Sequence, residues 1–119
     1  MYDCGLYIAV FELSDAQNIR IGKLGSFEFQ AGHYFYVGSA QRNLTARIER
    51  HARQTKPLRW HIDYLSVHAP MLGAILIQDP SEQECEIAKT LHGMFELAIP
   101  RFGASDCRCP GHLFYAKDF

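Results

Sequence analysis

The apolar and polar positions divide this chain into three strong strands, a minor hairpin and three helices. Leu6 to Leu13 is an apolar, β-rich run bounded by Gly5 and by Ser14-Asp15, which predicts a central strand. Asn18 to Gly25 and Ser26 to Gln30 predict two short strands around a turn at Gly25, with Phe27 and Phe29 alternating with polar neighbours. Gly32 opens a second strong strand, His33 to Gly38, whose Tyr34, Phe35, Tyr36 and Val37 suit a pleated surface. Met71 to Gln78 predicts a third strand, buried because it is continuously apolar.

Between these strands the period changes. Asn43 is a natural N-cap, and Leu44 and Ile48 supply the apolar stripe of a helix ending near Arg53. Pro57 interrupts the chain, Leu58 to Leu65 predicts a short second helix, and Pro70 closes that region. Asp79-Pro80-Ser81-Glu82 combines a capping residue, a proline and first-turn acids, so a third helix should start there. It should run to about His92, with Gly93 as its stop. Beyond Pro100 the chain is loop-like through Gly111, and Leu113 to Tyr115 predicts an edge strand. No repeat, linker or low-complexity tract interrupts residues 1–119, which predicts one domain of mixed α and β structure.

Composition narrows the class. Nearly half the residues are apolar, enough for one core without disulfides or structural metal. No run approaches a membrane span and no signal-peptide pattern opens the chain, so a soluble cytoplasmic protein without membrane partners is expected. The four cysteines, Cys4, Cys85, Cys107 and Cys109, are too unevenly spaced for a disulfide framework and read as reduced thiols.

A net charge of −1 argues against a protein that coats nucleic acid by bulk electrostatics. The distribution is more telling. Arg42, Arg47, Arg50, Arg53, Lys56 and Arg59 fall in one short segment opposed only by Glu49, whereas Asp79, Glu82, Glu84 and Glu86 cluster at the third helix. A basic patch beside a separate acidic one suits an enzyme that grips phosphate and holds a divalent cation; a solvated surface gives the same pattern.

Tyr36-Val37-Gly38-Ser39-Ala40 runs directly into the helix bearing Arg47, Arg50 and His51, which share a face. Phosphodiester hydrolysis needs a nucleophile, a proton acceptor, positive charge for the pentacovalent phosphorus and help for the leaving oxygen. Arginine suits the third task because its planar fork matches phosphate oxygens. The candidates are Tyr7 and Tyr36 on strands, Arg47 and His51 on the first helix, and Glu82, Glu84 or Glu86 on the third.

In this order of parts the chain resembles the GIY-YIG nuclease family, in particular its compact Uri-type branch. Gly5-Leu6-Tyr7 is similar to the first family motif and Tyr36-Val37-Gly38 to the second. Arg47 stands where the helical arginine falls, and Cys85-Glu86-Ile87-Ala88 stands on the helix that carries the metal-binding glutamate. Ile21-Gly22-Lys23-Leu24-Gly25, Trp60-His61-Ile62-Asp63-Tyr64, Gly103-Ala104-Ser105-Asp106-Cys107 and His112-Leu113-Phe114-Tyr115 extend the likeness over nearly the full length. The resemblance implies a small central three-stranded antiparallel sheet flanked by helices, and a DNA endonuclease using one magnesium or manganese ion. Tyr7 or an activated water would act at the chemical step, Tyr36 would orient water and substrate, and Arg47 would stabilise the phosphate. Glu86 would hold the metal, with Glu82 as an outer partner. Gly38, Lys23, Arg50 and Arg59 are the candidate substrate contacts, and His51 either accepts a proton or contacts phosphate. The chain departs from the family in two places. Tyr7 and Tyr36 are widely separated, so residues 14 to 32 must form an inserted hairpin, and Ser105 or Asp106 stands where a late asparagine is usual.

Plainer roles exist for the same residues. Tyr7 and Tyr36 also suit core aromatics, His51 a hydrogen-bonded structural histidine, Arg47 a surface arginine, Glu86 an exposed helical acid, and Lys23 and Arg59 solvated surface. His61 and Asp63, two apart beside Trp60 and Tyr64, either brace the site or, the favoured reading, satisfy one another in a polar-aromatic cluster. Cys107, Cys109 and His112 could hold zinc, although Cys-x-Cys spacing favours buried thiols. Two other functions follow from these alternatives: a non-catalytic nucleic-acid-binding module, and a zinc-dependent structural or regulatory protein.

Overall fold

The computed structural model describes residues 5–40, 42–77, 84–103 and 111–117, the side chains of 84–86 excepted. Strand β1 (Gly5–Leu13) is followed by a hairpin of β2 (Gln17–Ile21) and β3 (Gly25–Phe29), joined by a 3₁₀ turn at Gly22–Leu24. Then come β4 (Gly32–Ala40), helix α1 (Leu44–Ala52), helix α2 (His61–Ser66) and β5 (Met71–Ile77). Helix α3 (Glu84–His92), the short β6 (Glu96–Leu97) and β7 (Leu113–Ala116) complete the fold.

The class is α+β, and the hairpin after the first strand is present as expected. The sheet, however, has five strands, not three, in the order β5-β1-β4-β7-β6, with each pairing antiparallel. The expected trio β1, β4 and β5 is its larger part; β7 and β6 extend it on the β4 side. β7 therefore lies between two strands and is not an edge. β5 and β6 are the edges, and the expectation that β5 is buried is corrected. Leu72, Ile75 and Leu76 are each more than half exposed, and neither core cluster takes in any of the three.

Strand periodicity sorts the core into two layers. Tyr7, Ala9, Phe11 and Leu13 of β1 join Tyr34 of β4 and Leu113 of β7 against Leu44 of α1, Ile62 and Leu65 of α2, and Phe29 of the hairpin. The alternate positions Val10, Phe35, Val37 and Phe114 pack against Ala88 and Leu91 of α3 on the other face. On α1, Leu44, Ile48 and His51 recur at helical spacing, so this stripe turns toward the sheet and takes His51 inside.

Local starts and stops differ from expectation in two details. Asn43 precedes α1, but its backbone is left-handed (φ 58°) and its side chain makes no cap bond. The second helix starts at His61 rather than Leu58. There Asp63, at the third helical position, reaches back to accept the Trp60 amide, satisfying a donor that the helix leaves free. The expected start of the third helix, Asp79 to Glu82, lies outside the described residues.

Candidate functional site

The register of β1 and β4 builds the floor of the site. Tyr7 stands opposite Gly38, and Ala9 opposite Tyr36, so both phenols emerge on the face covered by α1 and α2. Gly38 is required here: a Cβ at this position would lie 2.3 Å from the Tyr7 hydroxyl oxygen. The absent side chain is the space that the Tyr7 ring occupies.

From α1, His51 descends onto this floor and its Nε2 lies 2.7 Å from the Tyr7 hydroxyl. The Tyr36 ring meets the same imidazole edge to face, with centroids 5.8 Å apart. Burial, and then the Lys56 ammonium, push the His51 pKa down to about 4; Asp63 pulls it up, and Arg47 and Arg50 push it further down. The ring is therefore neutral at pH 7 and keeps an acceptor nitrogen. Its Nδ1 is buried without a hydrogen-bond partner among the described residues.

Arg47 lies on the wall above. Its Nη1 donates to the Ser39 carbonyl at the end of β4, and its guanidinium carbon lies 4.9 Å from the Trp60 ring centroid. Arg59 approaches the same ring to 5.7 Å. Together with Gly103, these groups enclose a cavity of about 430 Å³ lined by Tyr7, Tyr36, Gly38, Arg47, His51, Arg59, Trp60 and His61. Gly103 adopts φ +72°, and a Cβ there would lie 2.9 Å from Tyr36, so its role parallels that of Gly38.

His61 belongs to the site and is not a partner of Asp63. Its Nδ1 accepts the Gly103 amide at 2.8 Å, and burial lowers its pKa. That bond sets the tautomer of the neutral ring: the proton resides on Nε2, which is a donor for a cavity ligand. Asp63 instead accepts from Arg50 Nη2 and from the amides of Arg59 and Trp60.

Tyr7, Tyr36, Gly38, Arg47, His51 and Arg59 thus converge, as the sequence suggested. Arg50 and Lys23 do not line the cavity. Arg50 turns inward, where Nη2 donates to Pro57 O and Asp63 Oδ2, both at 2.8 Å. Lys23 is exposed on the hairpin turn. Ser39, Trp60, His61 and Gly103 are lining residues to which the sequence reading gave no role in the chemistry. Their signal was their place in the motifs quoted for the resemblance: Ser39 directly follows Tyr36-Val37-Gly38, and Trp60-His61 and Gly103 open two of its later stretches.

The metal is a separate question. Helix α3 packs on the opposite sheet face from the two phenols. The side chains of Glu82, Glu84 and Glu86 lie outside the described residues. Among the described residues, no group of three His, Cys, Asp or Glu side chains could hold a metal ion, and the cavity is lined by cations, phenols and imidazoles. Magnesium and manganese prefer oxygen ligands, usually including a carboxylate. The described donors do not fit either ion. Of the candidate zinc ligands, Cys107 and Cys109 are outside the described residues, and His112 is buried with its carbonyl bonded to the Val37 amide. No helix among the described residues is long and apolar enough to cross a membrane.

The chain belongs to the family described as a domain of unknown function, DUF123, whose model matches residues 6–119. That description names no activity. No curated protein and no solved structure matches the chain.

Proposed function

We propose that the chain is an endonuclease of GIY-YIG type that hydrolyses phosphodiester bonds in DNA. One observation carries this reading: Tyr7, Tyr36, Arg47 and His51 line a single cavity, although 44 positions separate Tyr7 from His51 in sequence. The charge and shape suit a phosphodiester, with guanidiniums on one wall and hydrogen-bonding phenols and imidazoles on the others.

In this reading Arg47 and Arg59 hold the non-bridging phosphate oxygens and take up the charge that grows as water attacks phosphorus. Tyr7 receives a proton from that water while its own passes to His51 Nε2. Tyr36 orients the water, and His61 Nε2–H donates to the phosphate. An entering phosphate anion also raises the proton affinity of His51, opposing the depression that burial and Lys56 impose. The P–O bond to the leaving oxygen then breaks, and solvent protonates that oxygen. No step here runs through a metal, since the described donors do not make a site for one; Glu86 is the residue to which the resemblance assigns the ion.

A second reading, a nucleic-acid-binding module without catalysis, is favoured by the lack of a carboxylate among the described cavity-lining residues. One experiment separates the two. Labelled duplex DNA is incubated with the purified chain, with and without magnesium or manganese, across a salt series. Strand scission that is lost in Arg47→Ala and Tyr7→Phe supports the nuclease; its further loss in Glu86→Ala, with a dependence on magnesium or manganese, would assign the ion to that glutamate. Salt-sensitive binding indifferent to metal, with no scission, supports the module and overturns the nuclease.

A further inference from the structure

We propose that Asp63 is a positioning residue that fixes the guanidinium cluster relative to the cavity, an inference resting on the phosphate-binding reading above. Asp63 does not line the cavity and is fully buried in the first turn of α2. Its Oδ2 accepts three hydrogen bonds of 2.8 Å, from Arg50 Nη2, the Arg59 amide and the Trp60 amide. Its Oδ1 faces the buried Lys56 ammonium at 3.9 Å, and that ammonium donates to the Arg50 carbonyl at the end of α1. One carboxylate therefore ties the last turn of α1 to the backbone of the loop that delivers Arg59 and Trp60.

The consequence falls on Trp60. Arg47, Arg50 and Arg59 have their guanidinium carbons 4.9, 5.0 and 5.7 Å from its ring centroid. Three cations around one ring repel one another, and their attraction to the ring face offsets this only while the ring is held in place. Among the described residues, Asp63 is the carboxylate ion-paired to this cluster, through Arg50 and Lys56. Because it is buried, salt screens it little. Arg50 absorbs the Asp63 charge. Arg47 and Arg59 are held by the ring and the backbone, so their charges remain available to the cavity.

Trp60 is the only tryptophan of the chain, so its emission reports on the cluster directly. The test uses Asp63→Asn, which keeps the shape and removes the charge, together with Arg47→Ala and the double variant. The expected Asp63→Asn protein is folded, its Trp60 emission is red-shifted and more readily quenched by acrylamide, and its affinity for a short DNA duplex falls about tenfold. Arg47→Ala should then cost markedly less affinity in the Asp63→Asn background than in the wild type, because the guanidinium is already misplaced. Unchanged emission with strictly additive losses overturns the proposal. If Asp63→Asn does not fold, Arg50→Gln cuts the same link from the α1 side and must reproduce both the emission change and the coupling; wild-type behaviour of that variant overturns the proposal. A wild type that binds no DNA at any salt defeats the phosphate reading alone, and the emission shift still decides whether Asp63 anchors Trp60.

Discussion

The Tyr7 hydroxyl lies 2.7 Å from His51 Nε2, inside the protein, at the junction of the first strand and the first helix. Both residues are almost fully buried. The contact ties the central strand to the helix that carries Arg47, and it joins the proton donor and acceptor that the proposed chemistry requires. Tyr7→Phe removes the hydroxyl and leaves the ring over Gly38. It should cost about 1 kcal/mol of stability, the usual worth of one such bond, and at least a hundredfold in cleavage rate. Chemical denaturation and single-turnover cleavage measure the two effects separately.

His51 makes stability depend on pH. Its pKa is about 4 in the fold against an ordinary 6.5. Between these values the unfolded chain takes up the proton and the folded chain does not. The stabilisation is fully present above about pH 6.5 and is lost as pH falls through about 4, amounting to about 3 kcal/mol. Denaturant titrations at pH 7 and pH 4.5 should show this slope in the wild type and a flatter one in His51→Gln. Equal slopes would mean that His51 titrates normally. His61 and Asp63 also have lowered pKa values and act in the same direction, so the difference between the two proteins is the informative quantity.

Gly38→Ala tests the packing that seats Tyr7. The added Cβ would lie 2.3 Å from the phenol oxygen and 2.4 Å from the ring carbon bearing it. The ring must move, at a cost of about 1–3 kcal/mol. A fall in melting temperature accompanied by loss of the Tyr7–His51 contact in a crystal structure is the expected outcome; wild-type stability would contradict it.

Much of this was legible in the sequence because it rests on strand alternation and helix spacing. Tyr7, Tyr36 and Gly38 follow from two strong strands, and Arg47 and His51 from one turn of helix. Other parts depend on contacts that spacing does not encode. His61 and Asp63 are neighbours on α2, which invited a mutual pairing, but their partners are Gly103 and Arg50, 42 and 13 positions away. The apolar run of β5 resembled a core strand because hydrophobicity does not reveal whether other elements cover a strand's faces. β6, only two residues long, exists through pairing with β7 rather than through propensity.

The exposed edge gives a further prediction. Ile75 is 54% exposed and belongs to an uncharged edge strand, the kind of surface that seeds edge-to-edge aggregation. Ile75→Lys should change unfolding free energy by less than about 0.5 kcal/mol and raise the concentration at which light scattering detects aggregates. A large loss of stability would show that this side chain is covered in solution.

Salt dependence distinguishes the arginines. Arg47 and Arg59 line the cavity, whereas Arg50 is turned toward Asp63 and Pro57. Plots of log affinity for duplex DNA against log salt should lose about 0.9 in slope for Arg47→Ala and for Arg59→Ala. Arg50→Ala should weaken binding with a smaller change in slope. Equal slope changes for all three would place Arg50 among the phosphate contacts.

The most direct measurement is cleavage itself. Supercoiled plasmid is incubated with purified wild type, Tyr7→Phe and Arg47→Ala in magnesium or manganese, with circular dichroism of each protein as the folding control. The wild type should convert plasmid to nicked circles, and both folded variants should do so at least a hundredfold more slowly. Nicking by the folded variants at the wild-type rate would contradict it, as would a folded wild type that leaves the plasmid intact.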